Sequence, residues 1–166
     1  MPLDAPFRLG PFIVDVHGRL QPSDPATFPS FHIAWRGCPI HARLAAEGAA
    51  PGSAHLAMSA VIGRVPSTAG GDAARNQERR RVTFSALQSL GSGKPNLARL
   101  RLMPDHRFAM ETQRELPMPV SAGDLVTQIT CFLLDLGPYL DLLAEADVPV
   151  ETIGGDAAGK DGSAKI

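Results

Sequence analysis

The chain has 166 residues, a formal net charge of −1, 44% hydrophobic and 20% charged residues, the proportions of one globular domain with a sizeable core. Near-neutral charge removes any global pull toward nucleic acid or an anionic membrane, and no run approaches the roughly 18 apolar residues of a membrane span. Aromatic residues make up only 5%, so aliphatic side chains must fill the core, and 16 glycines with 15 prolines predict many turns.

The opening MPLDAPFRLGPF has no basic region followed by a long apolar run, so a secretory leader is not expected and a cytoplasmic protein is. Cys38 and Cys131 stand far apart in no ligand or redox motif, and two reduced thiols are the plainer expectation. Residues 1–11 read as an extended arm. FIVDVHGRL (12–20) is β-branched and alternating and predicts a first strand. A proline-rich loop follows at 21–30.

SFHIAWRGCPIHARLA (30–45) carries the clearest pattern. A hairpin centred on Gly37-Cys38 sets Phe31 against Leu44, Ile33 against Ala42 and Trp35 against Ile40. His32, Ala34, Arg36, His41 and Arg43 then share the other side, as a sheet with one buried face requires. This register leaves Cys38 at the tip, where an exposed thiol would be oxidisable. HLAMSAVIGRV (55–65) reads as another strand. Residues 73–90 read as a helix with Val82, Ala86 and Leu90 at i, i+4 spacing and Leu87 beside them, stopped by Gly91 and SGKP.

LARLRLMPDHRFAMETQREL (97–116) is a second hairpin, with Pro104, Asp105 and His106 in its loop. That placement aligns Leu102 with Phe108, Leu100 with Met110, and Arg99 with Glu111, a favourable cross-strand pair. Ser121 caps a long helix over 122–146, with Asp124 three residues on. Leu125, Ile129, Phe132, Leu133, Leu136, Leu140 and Leu143 form its apolar stripe. Gly137-Pro138 predicts a kink or brief break, and Leu134 and Leu142 lie off the stripe. The expected fold is α+β, a curved antiparallel sheet of about five strands with two helices on one face, in the order β-β-β-α-β-β-α. One domain spans 12–147, followed by a flexible tail at 148–166.

No catalytic motif is found. GSGK (91–94) lacks the earlier glycine and the Ser or Thr of a phosphate loop. No serine sits in a nucleophile elbow, and Asp15 with His17 at i, i+2 is a common chance pairing. The five histidines show no zinc spacing. His32 and His41 alone fall close together, as a weak metal alternative wanting a third ligand. No cofactor is expected.

Charge is segregated along the chain. Arg75, Arg79, Arg80 and Arg81 surround the single Glu78, while Asp124, Asp135, Asp141, Glu145 and Asp147 occupy 124–147 without a Lys or Arg. Such blocks are ordinarily solvated helix faces. They also suit helix-to-helix docking between subunits, which makes Arg75, Arg79, Arg80, Leu134, Tyr139 and Leu142 the candidate interface.

The run NLARLRL through MPDHRFAMETQRELPMPVSAGDLVTQITCFLLDLGPYLDLL resembles the C-terminal half of the YbjN and type III secretion chaperone-like family. Its shared pattern is a hairpin, a proline-containing connector, and a long closing helix with a tyrosine near its end, where Tyr139 stands. The resemblance implies a small α+β homodimer that binds a protein client or regulates, without catalysis. A structural subunit of a larger assembly and, further off, a metal- or ligand-dependent enzyme on the histidine face are the alternatives.

Overall fold

The computed structural model describes residues 5–24, 29–45, 49–67, 72–92 and 98–146. The expected tail at 148–166 lies outside the described residues, as do the first four residues of the expected arm. Five strands form the main antiparallel sheet: β4 (Ser30–Trp35), β5 (Cys38–Ala45), β6 (Ser53–Arg64), β7 (Arg99–Leu102) and β8 (Arg107–Pro117), in the order β4-β5-β6-β8-β7. With helices α1 (Ala73–Ser92) and α2 (Ala122–Glu145) the chain order of this body is β-β-β-α-β-β-α, the predicted order once the segment at 12–20 is counted apart from it.

The N-terminal segment departs from expectation. Residues 12–20 are not one strand, because Asp15 turns the chain. Its carboxylate accepts from the backbone N–H of His17 (2.8 Å) and of Arg19 (2.9 Å). The result is a separate three-stranded sheet of β1 (Phe7–Leu9), β2 (Phe12–Val14) and β3 (Leu20–Pro22). Residues 7–9 of the expected arm are thus a strand. Phe12, Val14 and Leu20 are buried, and Arg19 bridges Ser121, tying this sheet to the start of α2.

In the first hairpin the closing turn is Arg36-Gly37, not Gly37-Cys38. Both residues have positive φ (52° and 77°), as a two-residue type I′ turn requires. Phe31 therefore pairs with Ala42, Ile33 with Ile40 and Trp35 with Cys38. The slip is two residues, an even number, so every side chain keeps its expected face. The second hairpin has the expected register: Leu102 with Phe108, Leu100 with Met110, Arg99 with Glu111.

Alternation along the strands creates the core. Ile40, Ala42 and Leu44 of β5, the even-numbered residues of β6 from Ala54 to Ile62, and Phe108 and Met110 of β8 are buried on one face. Both helices cover that face. α2 contributes Leu125, Phe132, Leu136, Leu140 and Leu143, and Phe84 of α1 meets the ring of Phe108 edge-on at 5.4 Å. Burying five such side chains contributes on the order of 7–15 kcal/mol before the entropy of ordering is subtracted. Ser121 caps α2 as expected, accepting from Asp124 N at 3.0 Å. No break occurs at Pro138, which lies inside one continuous helix. The helix packs on the first hairpin at Gly137, where a Cβ would make ordinary contact with the Trp35 ring at 3.6 Å.

In α1, Asp72 caps the first turn through Ala74 N and Arg75 N, and the helix runs through Gly91 to Ser92. Its inward face differs from the predicted stripe. Val82 is exposed, whereas Thr83 and Leu87 are buried; Thr83 is tolerated there because its hydroxyl donates to Arg79 O at 2.8 Å.

Leu136 and Leu134 test this packing as a pair. Leu136 is fully buried and Leu134 is 69% exposed. In denaturant titrations Leu136→Ala is expected to lose about 2–5 kcal/mol, and Leu134→Ala to stay within about 0.5 kcal/mol of the parent. Equal losses would contradict the orientation of α2.

Candidate functional site

The described residues leave two surfaces uncovered: the sheet face away from the helices, and the outward side of α2.

The ladder places side chains on the uncovered sheet face in rows. His32, His41, Ser59, Glu111 and Arg99 form one row across all five strands. Arg43, Ala57 and Gln113 form the next. Short side chains at Ala57 and Ser59 lie between longer neighbours and leave a hollow of about 630 Å³, lined also by His41, Arg43, Arg99, Glu111 and Gln113. Arg101 takes Glu111 at 3.6 Å. Farther along β6 and β8, His55 stands opposite Glu115. Glu115 accepts from the Ser53 hydroxyl and, at 3.2 Å, from Ala50 N. The Ser53 bond, then the Ala50 bond, hold its carboxyl below the usual glutamate range.

His32 and His41 face each other directly, not diagonally as the sequence register has them, with ring centroids 4.8 Å apart. Among the described residues no three of His, Cys, Asp and Glu gather to hold a metal ion. The histidine pair is therefore two donors without the third that the metal alternative needs.

Cys38 is another correction. The Arg36-Gly37 turn moves it off the tip and into β5, fully buried on the core face, where burial pushes its thiol up. Cys131, on α2, is exposed. Asp15 and His17 occupy a turn, and the carboxylate serves the backbone there.

The candidate interface residues divide. Tyr139 is buried, and Leu142 packs against the core. Arg79 donates to Ala146 O at 3.2 Å, so the basic helix meets the C-terminus of the acidic one inside a single chain. This suits the geometry, because α2 has no basic residue in its last turn. Arg80 stacks over Phe84, 5.9 Å from the ring centroid. Arg75 and Leu134 remain exposed.

Leu134 belongs to a surface that the periodicity of the core stripe does not reveal. Val126, Thr130, Leu134 and Pro138, four residues apart, all face outward, with Val126 60% and Leu134 69% exposed. They form one i±4 ridge without a charge. Among the described residues, α2 is the one helix long and apolar enough by length and composition to cross a membrane, and only 33% of that stretch is buried. Its apolar run is not unbroken, because Thr127, Gln128, Thr130 and Asp135 interrupt it. The signal was present in the absence of charge between 125 and 134.

The chain matches no family model, no curated protein and no solved structure.

Two measurements check the site. With thiol reagent, the folded protein should release the equivalent of Cys131 alone, and Cys38 should react only after unfolding. Ser53→Ala should raise the Glu115 carboxyl toward its ordinary value, read by NMR titration of the side chain. A carboxyl depressed in the folded state adds stability that is complete above its unfolded value and is lost as pH falls through the folded value. The Ser53→Ala protein should accordingly lose less stability on acidification through that range; an identical pH profile would contradict the bond's role.

Proposed function

We propose that this chain is a non-catalytic protein-binding module that works in the cytoplasm as a homodimer, of the secretion-chaperone-like or regulatory kind that its sequence pattern resembles. The observation that carries the dimer is the uncharged outward ridge of α2. A helix face turned to water ordinarily carries charge, and Val126, Thr130, Leu134 and Pro138 carry none.

A second copy suits this ridge. Val126 and Leu134 are equally spaced from Thr130, so a two-fold axis through Thr130 lays Val126 of one protomer on Leu134 of the other. Such a contact is self-complementary, as an isologous interface must be, and two i±4 ridges interdigitate in the commonest helix-packing class. The stretch from Val126 to Pro138 is about 18 Å long, well short of the roughly 30 Å core of a bilayer. Asp124 and Asp141 bound it, which argues for a protein neighbour over lipid. Dimerisation in this way leaves the open sheet face and the exposed Arg75 for a partner or client.

Light scattering over a dilution series should give twice the 17.6 kDa chain mass, and Leu134→Asp should give the single mass with unchanged helical circular dichroism. Cys131, one residue from the axis, should cross-link to its counterpart with a short bis-maleimide. A wild-type chain that stays monomeric at about 10 μM, a concentration far above a nanomolar dissociation constant, would reject this reading.

A further inference from the structure

We infer that the hollow on the uncovered sheet face binds a small organic ligand carrying an oxyanion, phosphate or carboxylate, at each of two ends. The inference is independent of self-association, since α2 lies on the opposite face.

The argument begins with the two cations. Arg43 on β5 and Arg99 on β7 both line the hollow, and the strand order sets two strands, β6 and β8, between them. Three strand spacings put their backbones about 14 Å apart across the sheet. Arg43 and Arg99 stand in adjacent rows, so the hollow separates them diagonally, and that distance leaves room between their guanidinium groups for a ligand with a charge at both ends. Each guanidinium offers a planar fork of donors matched to phosphate or carboxylate.

These arginines are available. Among the described residues neither Arg43 nor Arg99 is engaged by a carboxylate of its own chain, whereas Arg101 takes Glu111. The local balance inside the hollow is therefore positive even with Glu111 on its wall.

Between the arginines stand groups that would orient the middle of a ligand. Ser59 and Gln113 offer donors and acceptors and Glu111 an acceptor for a ligand hydroxyl, while His41, on the same strand as Arg43, adds a ring nitrogen at that end. Ala57 and Ser59 keep the floor low. The hollow's 630 Å³ falls in the roughly 300–1,000 Å³ range of small-molecule sites.

Isothermal titration of the full chain with fructose 1,6-bisphosphate and with adipate tests the inference and separates the phosphate from the carboxylate source. At least one probe should bind, and inorganic phosphate and acetate, with one charged end each, should bind at least about tenfold more weakly. Arg43→Gln and Arg99→Gln should each weaken the better probe by about tenfold or more, while Arg75→Gln, on α1, should leave it unchanged. All three substitutions are at the surface, and an unchanged melting temperature verifies the fold. Failure of both probes to bind at about 10 mM, where even millimolar affinity would register, overturns the inference. So does binding that survives Arg43→Gln and Arg99→Gln combined, or uptake of an acidic peptide by a protein that ignores both small probes.

Discussion

The alternation of side chains along the five strands is the constraint on which the rest of this molecule depends. It sends Ile40, Leu56, Met58, Phe108 and Met110 to one face and His41, Arg43, Ser59, Glu111 and Gln113 to the other. The first face has to be covered, and α2 with α1 covers it. The second carries enough charge and hydroxyl to remain in water. Each later feature, from the buried helix stripe to the polar hollow, follows from that division.

The helices are joined to this sheet at a few points where chemistry agrees with packing. Trp35 of the first hairpin lies against Gly137, and next to it Arg36 reaches Asp141 at 2.5 Å. Arg79 supplies α2 with the C-terminal donor that its own last turn lacks. The Arg36–Asp141 pair is at the surface and adds little to stability by itself. Burial of the apolar stripe orients α2 and decides which residues face outward. The neutral ridge of Val126 and Leu134 is the consequence.

Much of this was legible in the sequence, for physical reasons that particular residues show. In the second hairpin two apolar pairs and the Arg99–Glu111 pair all specify one register, and it is the observed one. In the first hairpin the pattern gives the right faces with partners two residues off, since a period of two determines parity but not position. Only the turn chemistry of Arg36-Gly37, with positive φ at a non-glycine residue, settles the position, and arginine is a poor signal for it. The break at Asp15 was missed because a β-branched run looked continuous; the signal was an Asp able to take two backbone N–H groups just before a glycine. The hollow was illegible altogether. It joins residues of four strands, and the strand order that assembles them is a property of tertiary packing.

The short outer strand β7 has a further consequence. It is one edge of the sheet, only four residues long, and every second residue is arginine. Two such edges brought together would align Arg99 and Arg101 of one molecule with the same residues of the next, a like-charge ladder that opposes pairing. On this side the sheet resists pairing with a second copy of itself. A chain this rich in aliphatic strand residues thereby gains protection against fibre growth, and the arginines of β7 guard the folded protein against aggregation at that edge.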